Sequence, residues 1–310
     1  MTERIVILTG PTGIGKTELS IKLAKDLNSE IISADSMQIY KYMDIGTAKA
    51  TISQRKAIHH NLIDIVSPDK EFTVSDYMRK STRIISDLNN KNIIPLVVGG
   101  TGLYLNSLIY DLNFTSVARD QNIRDKYENL ADFQGNEYIH DILKKVDFNS
   151  YEKININDRK RIIRALEIYE LTGKTMSENN KNFRKPNDKY DIVLIILNMD
   201  RSKLYERINH RVDKMISLGL ISEVENLLSR GFGKELQSMQ AIGYKEIIMY
   251  INNVISLDEA IAKIKQGSRN YAKRQLTWFR RYDNANWINI DNYNNIEDLS
   301  NFVLTKVKAH

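Results

Sequence analysis

The sequence predicts an α/β protein in which helices flank a parallel β-sheet and a helical insertion interrupts the chain. Short apolar runs alternate with helical patterns along the chain, as is typical of βαβ units. A glycine-rich turn directly follows the first apolar run. The stretch 113–189 is polar and helical in pattern, and it lacks an apolar run typical of a buried strand. We therefore expect an α/β core formed by 1–112 and 190–310, with 113–189 as the helical insertion domain.

The first predicted element is a strand at 5–8, followed by a phosphate-binding turn and a helix at 18–27. The turn fits the pattern G-x-x-x-x-G-K-[ST]. Its residues are Gly10, Pro11, Thr12, Gly13, Ile14, Gly15, Lys16 and Thr17. In such turns the backbone N–H groups surround phosphate oxygens, the lysine binds the outer phosphate and the hydroxyl can hold Mg2+. The pattern predicts a P-loop NTPase-like core that binds ATP or another phosphate compound.

The second predicted strand, at 30–34, ends at Asp35. Parallel sheets bind ligands outside the carboxyl ends of their strands. Asp35 and the residues that follow it, Ser36, Met37 and Gln38, are therefore candidates for contact with a substrate. Asp and Ser are also preferred at helix N-caps. The sequence leaves both interpretations of this carboxylate open.

Two further strands are predicted at 62–66 and 93–98, with a helix at 74–88 between them. A glycine-rich turn at 99–102 follows the second of these strands and carries the hydroxyl of Thr101. This hydroxyl would lie at the same edge of the sheet as the phosphate-binding turn. Many turns of this composition are only tight connections, so the pattern alone is weak.

Strand character returns after the insertion, at 191–197, and most of the remaining chain is helical in pattern. Ser256 and Glu259 have the spacing of a capping box, in which each side chain binds the backbone N–H of the other residue. A long helix is predicted from this box to about Tyr282.

Two of the predicted helices carry basic stripes. In the insertion, Lys160, Arg161 and Arg164 fall on one arc of a helix at about 100° per residue. In the long C-terminal helix one face is shared by Gln266, Arg269, Lys273 and Arg280. A charged stripe is usually a solvated surface, but arginine suits bidentate contact with phosphate. A solvated face and a contact with nucleic acid or diphosphate both remain open.

The composition narrows the class of protein. The 310 residues suffice for a large core, and the absence of cysteine excludes disulfides, thiolate metal sites and cysteine nucleophiles. The net charge of +6 permits a polyanionic partner without requiring one. No apolar stretch has the length of a membrane span and the N-terminus lacks a signal peptide, so we expect a cytoplasmic protein without a membrane partner.

Six segments besides the phosphate-binding turn carry a resemblance to a known family. They are Asp35–Lys41, Asp44–Lys49, Val98–Tyr104, Arg161–Glu167, Ala241–Glu246 and Tyr271–Trp278. In order, over nearly the whole chain, they resemble the tRNA dimethylallyltransferase family (tRNA isopentenyltransferases), bacterial type. Gly13 stands where the family usually has alanine, and Asn61 stands where it usually has histidine. Neither departure touches a group with a chemical role.

The resemblance implies transfer of the dimethylallyl group from dimethylallyl diphosphate to the exocyclic N6 amine of the adenosine at position 37 of tRNA, 3′ of the anticodon. Asp35 is the candidate base for that amine. Lys16, the N–H groups of the turn, Mg2+ on Thr17 and a nearby arginine, Arg211, would stabilise the released diphosphate. Thr101 would donate its hydroxyl to the bridging oxygen. The resemblance requires no ATP hydrolysis.

The resemblance also implies how tRNA is held. Asp35–Gln38 and Thr101 would bind the target base, which must leave its stack to reach the edge of the sheet. The anticodon stem-loop would be bound by the insertion. The residues implied there are Arg124, Lys160, Arg161, Ile162, Ile163 and Arg164. The basic stripe of the C-terminal helix, rather than the resemblance, adds Arg269, Lys273 and Arg280 to the residues expected to bind tRNA. We expect the protein to act as a monomer.

Other functions remain compatible with the residues alone. A P-loop small-molecule kinase also uses an Asp at the end of its second strand and a helical lid. A nucleotide-gated RNA-binding protein would need the turn and the basic stripes but no chemistry. A prenyltransferase that acts on free nucleotides would have little use for a basic insertion.

Overall fold

The computed structural model describes residues 2–112, 119–179 and 185–309. The chain forms two compact units, of which the first comprises Met1–Ile109 and Asp188–His310 and the second comprises Tyr110–Asn187. The predicted insertion begins at 113, outside the described residues, and its predicted end at 189 lies two residues beyond the second unit. Within the three described ranges, no helix combines the length and apolar character needed to cross a bilayer.

The first unit contains a parallel six-stranded sheet. Its strands are β1 (Glu3–Thr9), β2 (Ile31–Ser33), β3 (His60–Asn61), β4 (Leu96–Gly99), β5 (Tyr190–Asn198) and β6 (Asn286–Asn289). They lie in the order β3-β2-β4-β1-β5-β6, and each neighbouring pair is parallel. The carboxyl ends of β1, β2 and β4 therefore meet at one edge of the sheet. This topology confirms the predicted α/β class.

The helices follow the predicted alternation with the strands. In chain order they are α1 (Lys16–Asp26), α2 (Ile52–Ala57), α3 (Val74–Asn89), α4 (Gly102–Ile109), α5 (Gln121–Val146), α6 (Phe148–Lys153), α7 (Arg159–Thr172), α8 (Met176–Asn179), α9 (Arg201–Ser217), α10 (Leu220–Ser229), α11 (Tyr244–Ile251), α12 (Leu257–Phe279) and α13 (Ile296–Ala309). The predicted capping box is present at the start of α12, where the Glu259 carboxylate accepts from the Ser256 N–H at 2.8 Å. The helix ends at Phe279, three residues before the predicted end.

The two longest strands, β1 and β5, explain why the sheet forms where the sequence predicts it. Strands buried on both faces have continuous apolar runs. In β1, Ile5–Leu8 are completely buried, and in β5, Val193–Leu197 are at most 5% exposed. These two strands pair along their length, from Glu3 opposite Tyr190 to Thr9 opposite Ile196.

The predicted strand at 62–66 is wrong. Pairing with β2 ends at Asn61, because Leu62 (φ 62°) and Asp64 (φ 56°) adopt left-handed conformations that leave the extended path. The sequence patterns also did not predict β6, which is an edge strand beside β5. Only Ile288 of this strand is buried, so its apolar pattern is too weak to recognise.

The second unit has a core of its own. Among its buried residues are Tyr127, Ile139, Leu143, Ile162 and Leu166, contributed by α5 and α7. The helix α5 is interrupted at Gly135, whose φ of 86° and ψ of 165° suit glycine.

Candidate active site

The phosphate-binding turn joins β1 to α1 and depends on glycine. Gly10, Gly13 and Gly15 have φ values of 150°, 83° and 102°, which residues with a Cβ rarely adopt. A Cβ on Gly10 would also lie 2.8 Å from the Leu197 carbonyl oxygen. Gly15 is the N-cap of α1, and no side chain caps this helix. The first N–H groups of α1 are thus placed to bind an anion, with the positive end of the helix dipole behind them.

One N–H group of the turn is already engaged. The Thr12 N–H donates to Gln275 Oε1 at 2.8 Å. The side chain of Ile14 is 1% exposed and packs in the core, so only its backbone can contact a ligand. The Thr12 N–H is therefore not available to a ligand, and the predicted phosphate site depends on the N–H groups at the start of α1.

Lys16 lies across the turn. Its Nζ donates to the carbonyl oxygens of Gly10 at 2.7 Å and Pro11 at 2.9 Å. Burial lowers the pKa of Lys16 to about 7, and the neighbouring charge of Arg211 adds to this shift while that of Asp35 opposes it. An anion bound in the turn would restore the preference for the charged ammonium.

Thr17 follows Lys16 in the first turn of α1 and is half-buried. The described residues contain no cluster of three or more His, Cys, Asp or Glu side chains suited to a metal ion. Mg2+ is often bound by one or two protein oxygens, with substrate phosphates and water completing its shell. The hydroxyl of Thr17, at the mouth of the turn, fits this type of site.

Asp35 lies just beyond β2 and is half-buried. Its Oδ1 accepts from the Met37 N–H at 2.9 Å and from the Gln38 N–H at 3.4 Å. One carboxylate oxygen therefore holds the turn that follows, but no helix begins here, since α2 starts at Ile52, so the helix N-cap interpretation is wrong. The carboxylate also influences the cations beside the phosphate-binding turn, because its negative charge opposes the lowering of the pKa of Lys16 and of Arg211.

Thr101 connects the ends of β2 and β4. Its N–H donates to the Ala34 carbonyl at 3.1 Å. Its Oγ1 accepts from the Ser36 N–H at 2.9 Å and donates to Ser36 Oγ at 3.3 Å. The structure therefore brings Thr101 and Ser36 together, which sequence spacing alone could not predict.

Two arginines of α9 reach the phosphate-binding turn. The Nε of Arg211 is buried and has no hydrogen-bond partner among the described residues. Burial lowers the pKa of Arg211, against the charge of Asp35. Arg207 lies beside the turn, with Nη1 3.5 Å from the Ile14 carbonyl oxygen. A guanidinium next to Lys16 with a buried, unpartnered Nε is suited to a diphosphate.

Sequence reasoning missed Gln275 and Tyr271 of α12. Gln275 is 5% exposed, and its Nε2 donates to the Gly100 carbonyl at 2.9 Å while its Oε1 accepts from Thr12. Tyr271 lies near Thr101 and Gln275, and burial together with the charge of Asp35 raises its pKa. Both residues lie in the 271–278 segment that carries the family resemblance, but the helical periodicity singles out only the basic face of this helix.

The residues of the first unit that are predicted to bind tRNA differ in their surroundings. Met37 and Gln38 lie half-buried in the turn after Asp35. On α12, Arg269 is held by Asn209 of α9, with Nη1 2.6 Å from Oδ1. Lys273 and Arg280 are exposed.

The predicted tRNA residues of the second unit fall into three groups. Ile162 and Ile163 are buried in its core, so their side chains have no surface for a ligand, contrary to the prediction. Lys160 and Arg161 are exposed, and Arg161 pairs with Asp158 at 3.3 Å. The remaining two, Arg124 and Arg164, bind a buried carboxylate.

That carboxylate is Glu167, whose side chain is completely buried. Arg124 binds it through two hydrogen bonds, Nε to Oε1 at 2.8 Å and Nη2 to Oε2 at 2.9 Å, and Arg164 Nη1 lies 2.6 Å from Oε2. Burial alone would raise the pKa of Glu167, but these hydrogen bonds and one from the Asp120 N–H lower it to about 2. The two arginines therefore have a structural role that neither the stripe, for Arg164, nor the resemblance, for Arg124, predicted.

Comparison with known proteins gives one consistent result. Residues 38–282 match the model of the IPP transferase family, and residues 3–65 match that of the isopentenyl transferases. The chain is 48% identical over 310 residues to the tRNA dimethylallyltransferase of Alkaliphilus oremlandii, covering 100% of this chain and 99% of the relative.

Solved structures agree with the sequence matches. The full-length tRNA isopentenylpyrophosphate transferase of Bacillus halodurans is 41% identical with a TM-score of 0.71, and the match covers 99% of this chain and 97% of that one. A eukaryotic dimethylallyltransferase, described as acting on tRNA, is 31% identical with a TM-score of 0.76, over 90% of this chain and 70% of that one. The chain therefore belongs to the IPP transferase family of tRNA dimethylallyltransferases, as its motifs predicted.

Proposed function

We propose that this protein transfers a dimethylallyl group from dimethylallyl diphosphate to the N6 amine of the adenosine at position 37 of tRNA. One observation carries the assignment to this site. Lys16, Arg211 and Asp35 lie close enough for their charges to act on one another at the carboxyl ends of β1 and β2. Two cations beside a carboxylate suit a reaction that needs a site for an anionic leaving group and a base.

The diphosphate would lie in the phosphate-binding turn. The N–H groups at the start of α1, Lys16 and Arg211, whose buried Nε has no partner among the described residues, would bind its oxygens. Mg2+, held by Thr17 and the phosphates, would neutralise further charge on the leaving group. These groups act most strongly on the negative charge that develops as the carbon–oxygen bond breaks.

The acceptor amine would approach beside Asp35. Its lone pair forms the new nitrogen–carbon bond, the bond from that carbon to the bridging oxygen breaks, and the diphosphate leaves with the electron pair. Asp35 takes the amine proton, through the carboxylate oxygen not bound to Met37. Thr101 donates its hydroxyl to the bridging oxygen, which requires it to turn away from Ser36 Oγ at 3.3 Å.

The tRNA contacts are part of the proposal. The anticodon stem-loop would be bound by the exposed cations Lys160 and Arg161 in the second unit, by Lys273 on α12 and by Arg280, which directly follows that helix. Phosphate contacts of this kind position an RNA, while Gln38, at the edge of the sheet, would distinguish the base. We further propose that the enzyme acts as a monomer in the cytoplasm.

The test is mass spectrometry of nucleosides from tRNA incubated with the protein, dimethylallyl diphosphate and Mg2+. The proposal predicts adenosine with one added dimethylallyl group, mapped to position 37. Release of phosphate from ATP with a small hydroxyl acceptor, and no modified tRNA, would indicate a kinase. Tight tRNA binding without a covalent product would indicate a binding protein.

A further inference from the structure

The amide of Gln38 is fixed by groups outside its own turn. Its Nε2 donates to the Thr47 carbonyl at 3.3 Å, and its Oε1 lies 3.5 Å from the Ser33 hydroxyl. A primary amide has two N–H donors and two acceptor lone pairs. One N–H and one lone pair thus remain for a ligand, and the Thr47 carbonyl decides which way the amide faces.

Thr47 belongs to a turn whose shape is set from elsewhere in the chain. The N–H groups of three consecutive residues, Asp44, Ile45 and Gly46, all donate to the carboxylate of Glu223 on α10, at 2.9, 2.7 and 3.0 Å. Successive N–H groups that converge in this way form an anion-binding concavity. Here the anion is a side chain of the protein itself, more than 170 residues away in sequence.

Two neighbours keep Glu223 and the turn together. The buried Tyr244 donates its hydroxyl to Glu223 Oε1 at 2.7 Å, and its ring fills the space that a Cβ on Gly46 would need. Lys49, whose side chain is 1% exposed, donates to the Asp44 carboxylate at 2.7 Å and to the Tyr40 carbonyl at 2.8 Å. The Thr47 hydroxyl closes the turn by donating to the Met43 carbonyl at 2.6 Å.

We propose that Glu223 is a positioning residue for base selection. By holding the 44–46 turn it fixes the Thr47 carbonyl, and through that carbonyl it fixes the face that Gln38 presents to the target base. The inference rests on the proposed function, in which Gln38 contacts the adenine. Glu223 itself touches no substrate. Gln in its place would keep the size of the side chain but would lose the charge and one of the two acceptor oxygens.

The test measures affinity for two anticodon stem-loops, one with the target adenosine and one with guanosine in its place. Wild type, Gln38→Ala, Glu223→Gln and the double variant are compared, with Glu225→Gln as the control, because Glu225 is an exposed carboxylate of the same helix. An amide–adenine contact contributes about ten-fold discrimination. We expect Gln38→Ala and Glu223→Gln each to remove most of that factor, and the double variant to lose no more than either.

A merely structural role would give a different result. General destabilisation changes the affinity for both stem-loops alike and leaves their ratio unchanged. Unchanged discrimination in a folded Glu223→Gln variant, or losses that multiply in the double variant, would overturn the proposal. Tyr244→Phe, which removes one hydrogen bond to Glu223, should give an intermediate loss. Product formation by wild type is measured separately, so failure of the transfer reaction is distinguishable from failure of this coupling.

Discussion

At the scale of single residues, the candidate site contains two cations, Lys16 and Arg211, whose pKa values are lowered by burial. Lys16 uses its donors on two backbone carbonyls, and Arg211 has a buried Nε without a partner among the described residues. Both arrangements leave charge or hydrogen-bonding capacity unsatisfied until an anion arrives. This gives a measurable signature in the pH dependence of ligand binding.

The affinity for dimethylallyl diphosphate should fall as the pH rises above about 7. Burial lowers the pKa of Lys16 to about 7 without ligand, and the bound anion would raise it again. Binding above that pH therefore takes up a proton, which costs up to about ten-fold in affinity per pH unit. The measurement is calorimetric affinity between pH 6 and 9. The ligand's own titration remains in Lys16→Ala, so an equal pH dependence in both proteins would contradict the assignment.

At the scale of elements, α12 ties together the turns that follow β1 and β4. Gln275 is the connection, since it binds Thr12 in one turn and Gly100 in the other. Gln275→Leu keeps the approximate volume but leaves a buried N–H and a buried carbonyl without partners. We expect a loss of about 1–3 kcal/mol in unfolding free energy, together with weaker diphosphate binding. Urea denaturation and calorimetry check this; unchanged diphosphate affinity would show that the connection does not shape the site.

The stripe on α7 should divide into two functional classes. Lys160→Ala and Arg161→Ala remove exposed cations, so each should reduce the salt slope of log K for tRNA by about 0.7–0.9. Arg164→Ala removes a partner of the buried Glu167 and should instead cost about 1–3 kcal/mol of stability. Filter binding against salt and thermal unfolding distinguish the two. If Lys160→Ala and Arg161→Ala leave the salt slope unchanged, the second unit does not bind phosphates through this stripe.

Part of this division could not be predicted from the sequence. Periodicity placed Lys160, Arg161 and Arg164 on one arc, but it could not reveal that Glu167 is buried and attracts two arginines. The basic stripe also does not represent the net charge of the second unit. Residues 110–187 contain 14 Lys and Arg against 13 Asp and Glu, so the second unit is nearly neutral. Its basic residues are largely matched by acidic ones.

At the scale of the whole molecule, local patterns predicted the elements better than the contacts between them. The phosphate-binding turn, β1, β5 and the start of α12 follow from apolar runs, glycines and a capping box, all of which are local. The hydrogen bonds of Thr101 with Ser36, of Gln275 with Thr12 and of Glu223 with the 44–46 turn join distant segments. No single-sequence pattern encodes such pairs. The edge strand β6 was missed because packing against β5, rather than its own composition, makes it a strand.

The most direct test of the account is a comparison of wild type and Asp35→Asn in single-turnover transfer from labelled dimethylallyl diphosphate to a tRNA anticodon stem-loop. If Asp35 takes the proton from N6, the variant should bind both substrates with nearly wild-type affinity and react about 10²–10⁴-fold more slowly. Asn keeps a side-chain oxygen that can accept from the Met37 N–H, so the turn should remain in place. Transfer by Asp35→Asn at the wild-type rate would contradict the assignment of Asp35 as the base and of this edge of the sheet as the site of reaction.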